Sequence, residues 1–371
     1  MCESDLGNAM FDLRLLLKTA VKHNASDVHI KAGAHPYLRI RGELMPMSNF
    51  HRITRQDTLD LAHNVLNTRQ KEALTEHSEI DISFGGPDLG RFRLAVYHQR
   101  GSISMVFRVI PQKVPDLDEL KLPAVLREIV KDKRGLILVT GATGSGKSTT
   151  LSAMVEHINR TQRTHIITIE DPIEFLLTDK LSLISQREVG ADTASFGGAL
   201  RAALRQDPDV VLVGEMRDYE TVNTAMGAAE TGHLVMSTLH TSDTIETVNR
   251  IISMFPSDQQ NDIRYRFAAS LNSIVSMRLI KSSINKNRYA AVEILRNTEL
   301  VRSLIEDRER SKDLRNALET GHTHYGMQTF DQSLYQLYED HLITADDALE
   351  NASFPEDLSL KIQGILSASE Q

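Results

Sequence analysis

The sequence predicts an α/β protein with a small N-terminal α+β domain, a larger domain built on a mainly parallel sheet, and C-terminal helices. Two patterns lead to this prediction. Within residues 1–110, short runs alternate apolar and polar residues, as half-buried antiparallel strands do. Further on, four apolar runs alternate with helical stretches, as the strands of a parallel sheet covered on both faces do: residues 136–139, 166–169, 210–213 and 234–237.

The N-terminal domain is predicted to combine two helices with an antiparallel sheet. Apolar residues at helical spacing predict a helix over residues 9–23, and Thr54 is expected to cap a second helix over residues 55–76. Gly85 and Gly86 indicate a turn. Strands are expected at residues 27–30, 37–41, 91–97 and 102–108.

Residues 111–118 are predicted to link the two domains, because Pro111 and Pro115 disfavour helix and stiffen the connection. The second domain is expected over residues 119–290, and its first helix over 117–130 overlaps the end of the linker. A helical C-terminal region is expected over residues 291–371. Within it we expect helices at residues 300–314 and 328–342 and a tail from residue 353.

The composition excludes several classes of protein. The chain has 371 residues and a net charge of −8, which argues against a nucleic-acid coat. Its one cysteine, Cys2, excludes a disulfide within the chain and a four-cysteine zinc site. There is no run of 18 apolar residues, and the first ten residues are acidic and lack the apolar core of a signal peptide. We therefore expect a cytoplasmic protein.

The most informative motif is a glycine-rich loop between an apolar strand and a helix. It matches the pattern G-x-x-x-x-G-K-[ST], whose backbone N–H groups converge on an anion at the start of a helix. Lys147 is expected to reach the β- and γ-phosphates of ATP, and the Ser148 hydroxyl to bind Mg²⁺. The predicted nucleotide-binding residues are Gly141, Ala142, Thr143, Gly144, Ser145, Gly146, Lys147, Ser148 and Thr149.

Two glutamates are candidates for the metal and for the attacking water. Glu215 directly follows an apolar run, and Glu170 ends the run before it. Ligands gather at the carboxyl edge of a parallel sheet, so both are expected near the loop. We favour Glu215 on the metal and water side with Glu170 as its partner, and their division of roles stays open. For Asp171, which precedes Pro172, the alternative is a helix cap.

Two histidines and an arginine complete the candidate site. His233 and His240 flank the fourth apolar run. A hydrogen bond to the γ-phosphate is the functional prediction for both, and a structural role is the alternative. Arg100 precedes Gly101 at a predicted hairpin turn, from which it would project into a neighbouring subunit's site. Arg91 and Arg93 are interpreted as part of a solvated strand face.

The motifs together resemble the secretion-type ATPases, and within them the type IV pilus retraction ATPases, PilT and PilU. The resemblance rests on the phosphate loop and spans nearly the whole chain. Its other segments are Ala25–Ile30, Thr168–Glu174, Asp209–Glu215, Thr231–Thr241 and Gly326–Gln332. It implies a PAS-like first domain and a RecA-like second domain in a hexameric ring that pulls pilin subunits back into the inner membrane.

The resemblance also assigns residues and partners. It implies that Glu215 is the Walker B glutamate, that Glu170 is the glutamate of the Asp box, and that Arg100 and Arg108 cross to the nucleotide. The implied partners are further copies in a homo-hexamer and an inner-membrane pilus platform protein, with a separate PilT ring as an open alternative. No direct contact with nucleic acid is expected, and the implied location is the cytoplasmic face of the inner membrane, peripheral to it.

Three departures favour a PilU-like member of the family. Ala142 stands where PilT chains usually carry proline, Phe330 follows Gln328 and Thr329, and residues 299–306 match poorly to the stretch that follows the PilT core. Two alternatives stay open: a secretion or DNA-uptake ATPase with another cargo, and a nucleotide-binding structural subunit without turnover. The absence of a four-cysteine zinc motif disfavours the extension and type II secretion ATPases.

Overall fold

The computed structural model describes residues 11–86, 89–111 and 113–364. These residues form two compact units. The first comprises the described residues up to Lys113 together with Glu174–Leu176, and the second comprises Val114–Ile173 and the described residues from Leu177 onward.

The first unit is a six-stranded antiparallel sheet in the order β3-β2-β1-β6-β5-β4, with three helices. Its core is a cluster of buried apolar side chains from both helices and strands, centred on Phe92 and Phe107. In chain order its elements are α1 Leu13–Lys22, β1 Asp27–Lys31, β2 Tyr37–Ile40, β3 Glu43–Pro46, α2 Arg55–Val65, α3 Thr68–His77, β4 Glu79–Gly86, β5 Gly90–Gln99 and β6 Ser102–Ile110.

The helix predicted over residues 55–76 is two helices, and this is a correction. Thr54 caps α2 as expected, but Asn67 forms a second capping box with Gln70 and so starts α3. Strands β3 and β4 were not predicted. All four residues of β3 are exposed and β4 has no fully buried residue, so neither carries a strong apolar signal.

The second unit is a seven-stranded sheet in the order β13-β12-β7-β11-β10-β8-β9, flanked by helices. Its elements are α4 Val125–Ile129, β7 Gly135–Thr140, α5 Lys147–Thr161, β8 His165–Glu170, β9 Leu183–Glu188, α6 Phe196–Ala203, β10 Val210–Val213, α7 Tyr219–Glu230, β11 Leu234–Leu239, α8 Thr244–Ser253, α9 Gln260–Ser270, β12 Leu271–Lys281, β13 Arg288–Arg296, α10 Glu299–Glu306, a short 3-10 helix Ser311–Asp313, α11 Leu314–Thr320, α12 His322–Tyr325, α13 Phe330–Glu339, α14 Ala345–Asn351 and α15 Pro355–Ile362.

Every strand pair of this sheet is parallel except β12 with β13. Alternate residues of the central strands enter two apolar layers: Leu136 and Leu138 face one layer, and Ile137 and Val139 face the other. This is why those strands are apolar without interruption. The predicted fold class, α/β with an N-terminal α+β part and a mainly parallel sheet after it, is confirmed. The name PAS-like stays a prediction.

Three helix predictions in the second unit need correction. Residues 117–130 contain turns and the short helix α4, and Pro123 lies just before it. The helix predicted at 300–314 ends at Glu306, and the one at 328–342 starts at Phe330 and ends at Glu339. Part of the predicted tail is helix α15. Within the described part of the chain, no helix is both long and apolar enough to cross a membrane.

Candidate functional site

The predicted phosphate loop lies between β7 and α5, at the carboxyl end of β7. Gly141, Gly144 and Gly146 have φ values of +141°, +81° and +98°, which L side chains rarely adopt. A Cβ on Gly141 would lie 2.5 Å from the carbonyl oxygen of Met277 and 2.6 Å from Oγ of Ser145. All three glycines are thus favoured by the backbone conformation, and Gly141 is also required by close packing.

Lys147, the first residue of α5, points its ammonium group back into the loop. Its Nζ donates to the carbonyl oxygens of Gly141, at 2.8 Å, and Ala142, at 3.0 Å. Burial lowers the pKa of Lys147, and the negative charge of Glu215 opposes that shift. The buried hydroxyl Oγ of Ser145 has no hydrogen-bond partner in the structure. A cation at a helix start, an orphaned hydroxyl and a curled backbone together fit a bound phosphate chain.

A cavity of about 310 Å³ opens beside the loop. Residues 142–145 form one wall, and Ser242 with residues 277–279 of β12 forms the other. Arg278 in this wall donates to the carbonyl oxygen of Asn351 at 2.8 Å and lies 3.8 Å from the centre of the Phe330 ring. Strand β12 therefore borders the loop and also holds the C-terminal helices.

Glu215 lies just after β10 and forms ion pairs with two side chains. Its carboxylate accepts a hydrogen bond from Arg217 at 2.9 Å and lies 3.3 Å from Nε2 of His240. Partial burial would raise the pKa of Glu215, but the hydrogen bond and charge of Arg217 and the contact with His240 outweigh it and hold that pKa below its usual range. Glu215 is therefore an ionised carboxylate at neutral pH.

Glu170 is the last residue of β8, the strand beside β10. It is buried and accepts hydrogen bonds from the hydroxyl of Thr168 at 2.6 Å and from Nε2 of Gln186 at 3.1 Å. Gly214 keeps the two strand ends close, because its N–H donates to the carbonyl oxygen of Ile169 at 2.7 Å. The structure thus brings Glu170 and Glu215 to the same edge of the sheet, the edge at which the loop also lies.

Asp171 does not cap a helix. Residues 171–182, all of which the structure describes, contain no helix, so that alternative is wrong.

The two histidines lie at opposite ends of β11. His240 follows the strand and joins Glu215 at the loop edge. His233 precedes it, and its Nδ1 lies 2.9 Å from the carbonyl oxygen of Ala228. At about 3.3 Å per residue, the strand separates them by roughly 20 Å. The prediction that His233 bonds the γ-phosphate is therefore wrong for the loop of its own subunit, and the structural alternative fits it.

A group of buried hydroxyls beneath the site was missed by the sequence analysis. Thr140, the last residue of β7, shares a hydrogen bond of 2.7 Å with Ser276, and Thr247 donates to Thr140 at 3.4 Å. Thr241, directly after His240, shares one of 2.6 Å with Thr247. The sequence signal was weak: polar residues inside otherwise apolar runs. These contacts tie the His240 segment to the strand that carries the loop.

Arg100 and Arg108 belong to the first unit. Arg100 lies at the turn between β5 and β6 with φ +49°, and its side chain is exposed. Arg108 pairs with Asp27, whose Oδ1 accepts from its Nε at 3.0 Å. Arg93 faces Asp81 at 3.6 Å, also on the sheet surface.

A mainly parallel sheet with a glycine-rich loop after β7, a lysine at the head of α5 and carboxylates after neighbouring strands defines a nucleotide-binding protein of the phosphate-loop class. The chain belongs to the family described as "Type II/IV secretion system protein", whose model matches residues 3–335.

Relatives with assigned functions lie within this family. The type IV pilus retraction ATPase PilT of Pseudomonas aeruginosa is 42% identical over 345 residues, covering 93% of this chain and 99% of PilT. The type IV pilus ATPase PilU of the same organism is 40% identical over 348 residues, covering 94% and 90%. The two identities are nearly equal, so overall similarity does not choose between PilT and PilU.

Solved structures agree with the fold. A crystal structure of the pilus retraction motor PilT with bound ADP superposes with a TM-score of 0.85 at 45% identity, covering 94% of this chain and 98% of that one. The ATPase DotB of Legionella pneumophila has a TM-score of 0.76 at 27% identity, covering 94% of each chain. Family, fold and loop together identify a nucleotide-binding protein among the pilus retraction ATPases.

Proposed function

We propose that the chain is an ATP-hydrolysing motor that retracts type IV pili. The observation that carries this is the joint presence of a complete phosphate loop and the Glu215–His240 pair at the end of neighbouring strands. The similarity to PilT over nearly the full length of both chains supports the assignment of the type IV pilus as the cargo.

In this mechanism the loop N–H groups and Lys147 bind the β- and γ-phosphates and orient them. The Ser148 hydroxyl would hold Mg²⁺, which would supply charge neutralisation in the reaction. Glu215, kept ionised by its neighbours, orients the attacking water and accepts its proton. His240, whose Nε2 lies 3.3 Å from Oε1 of Glu215, holds that carboxylate in place and is the proposed donor to the γ-phosphate.

Glu170 is the partner of this site. Its carboxylate is already engaged by Thr168 and Gln186, and it is more buried than Glu215, whose side chain is 20% exposed. We therefore propose that Glu215 orients the attacking water. Glu170 would support the metal and the edge of the strand.

The active assembly is proposed to be a homo-hexamer. Arg100 and Arg108 are the arginines that we propose cross to the nucleotide of a neighbouring subunit. An arginine supplied in this way is worth roughly 10³–10⁵ in rate. The ring acts at the cytoplasmic face of the inner membrane, on a pilus platform protein, alone or beside a PilT ring.

The test is ATP turnover by the purified chain, measured as phosphate release, with ATP binding measured separately. We expect Lys147→Ala to lose binding, because each lost charge-assisted hydrogen bond to phosphate costs roughly 1.5–3 kcal/mol. Glu215→Gln should keep binding and lose turnover by roughly 10²–10⁴-fold. The control is Glu299→Gln, an exposed acid at the start of α10.

Two results would change the proposal. A wild-type chain that binds ATP but does not hydrolyse it would be a structural subunit of a motor ring. A Glu215→Gln variant that turns over like the wild type would remove the assigned role. The cargo is tested in a deletion strain: restored twitching motility by the wild-type gene, and none by the Glu215→Gln gene, is expected. Normal twitching in the deletion strain would point to another cargo.

A further inference from the structure

The first unit contains a cavity of about 570 Å³, separate from the one beside the phosphate loop. It opens where the end of β1, the turn before α2 and the β5–β6 turn meet. Residues 31–33, 52–55, 99–100 and Ser102 line it.

Four of these residues are cations: Lys31, Arg52, Arg55 and Arg100. Lys31 ends β1 and pairs with Ser104 of β6, which brings it to the turn that carries Arg100. Arg52 and Arg55 come to the same place because their segment is tied to the turn after β1. The N–H of Gly33 donates to the carbonyl oxygen of Ile53 at 2.7 Å, and the N–H of Ile53 donates to Ala34 at 2.9 Å.

These four cations lack partners. Within residues 11–86, 89–111 and 113–364, none of their side chains forms a hydrogen bond or an ion pair. No acid lines the cavity, although the chain has 50 acids against 42 lysines and arginines. Like charges gathered around one concavity repel each other and raise the local positive potential, which attracts anions.

The acid two residues after Arg55 is already engaged. Asp57 of α2 accepts from the N–H of Thr54 at 2.7 Å, from its hydroxyl at 2.7 Å, and lies 3.2 Å from Nε2 of His51. Burial would raise the pKa of Asp57, but the bonds from Thr54 and the contact with His51 outweigh it and lower that pKa. The Asp57 carboxylate is thus engaged by the helix cap and by His51, and it does not line the cavity.

We propose that this cavity binds a chain of phosphate groups, independently of the phosphate loop. Arginine forks match phosphate oxygens in pairs, and lysine adds a mobile charge. The volume is far larger than the roughly 30 Å³ of one water and admits two or three linked phosphates. The source of the phosphates is a nucleotide held by another subunit, a free polyphosphate compound or the headgroups of an anionic membrane.

The test uses the full chain with Lys147→Ala, so that the phosphate loop does not contribute. Sodium tripolyphosphate is titrated and the heat of binding measured at two salt concentrations. We expect binding that weakens with salt, because the contacts are between charges. Adding Arg52→Gln with Arg55→Gln should weaken it roughly tenfold or more, through the lost charge-assisted hydrogen bonds. Arg69→Gln, an exposed arginine of α3 outside the cavity, is the matched control.

All four cations are exposed, so their substitution should leave the fold intact, and a thermal melt checks this. Lys31→Gln serves as a second variant if the double variant unfolds. No binding of tripolyphosphate to the Lys147→Ala chain overturns the proposal, and so does equal binding by the cavity variant and the Arg69→Gln control. Neither result bears on ATP turnover, so failure here is distinct from failure of the motor function.

Two further measurements identify the source. If less of the double variant than of the parent chain sediments with phosphatidylglycerol vesicles, the source of the phosphates is lipid headgroups. A raised KM for ATP in the double variant with Lys147 intact assigns the nucleotide of another subunit. Tripolyphosphate binding with neither effect assigns a free polyphosphate compound.

Discussion

Replacing Gly141 by alanine tests the close packing beneath the phosphate loop. The new Cβ would lie 2.5 Å from the carbonyl oxygen of Met277 and 2.6 Å from Oγ of Ser145, both inside van der Waals contact. The carbonyl belongs to β12, which pairs with β7, so it does not move without disturbing the sheet. A backbone φ of +141° also strains any residue other than glycine.

The two costs are of similar size. Backbone strain at such a position is roughly 1–3 kcal/mol, and overpacking of a well-filled site is roughly another 1–3 kcal/mol. We therefore expect Gly141→Ala to lower the free energy of unfolding by about 2–6 kcal/mol, or to displace the loop at a comparable cost in ATP affinity. Gly144→Ala is the matched control, because φ is +81° there but a Cβ would meet nothing within 4 Å.

The assay combines urea unfolding with titration of a fluorescent ATP analogue. Gly144→Ala should show the strain alone, and Gly141→Ala a clearly larger loss in stability, in affinity or in both. If the two variants behave alike, the close contact with Met277 has no energetic weight, and the packing argument for the loop is refuted.

Two further predictions concern buried charge and the neighbouring subunit. Burial raises the pKa of Glu293, against the bonds from Thr244, so its contribution to stability is present below about pH 4.5, the ordinary value, and is lost as pH rises through the raised pKa. Glu293→Gln should therefore stabilise the chain in thermal melts at pH 8 and not at pH 4, and a uniform effect would contradict this. Arg100→Gln should lower kcat by roughly 10³-fold or more with little change in KM, whereas Arg93→Gln should not; a fully active monomer would disprove the role of Arg100 in a neighbour's site.

The parts of the fold that the sequence predicts well are those with one strong pattern. The strands β7, β8, β10 and β11 are apolar on both faces, and their predicted limits fall within two residues of the observed ones. Strands β3, β4, β9, β12 and β13 were missed. Strand β9 is mostly half-buried, and β12 and β13 carry serines and arginines among their apolar residues. Their place in the sheet comes from partners distant in sequence, which periodicity does not report.

The positions of the candidate site residues could be predicted where the direction of the strands alone decides at which edge of the sheet a residue lies. Glu170, Glu215 and His240 each follow a parallel strand, and therefore meet at one edge. His233 fails the same rule, since it precedes β11, and its pairing with His240 rested on the motif. The hydroxyl contacts were out of reach, because Ser276 lies more than one hundred residues from Thr140 and its hydroxyl reaches that strand through the sheet alone.

The position of β12 has a mechanical consequence. The strand pairs directly with β7, the strand that precedes the phosphate loop. Its Arg278 donates hydrogen bonds to the carbonyl oxygen of Asn351 and to the hydroxyl of Ser353, at the junction of α14 and α15. A displacement of the loop wall would therefore be transmitted through β12 to helices α14 and α15. A partner bound to those helices would then respond to the state of the nucleotide pocket.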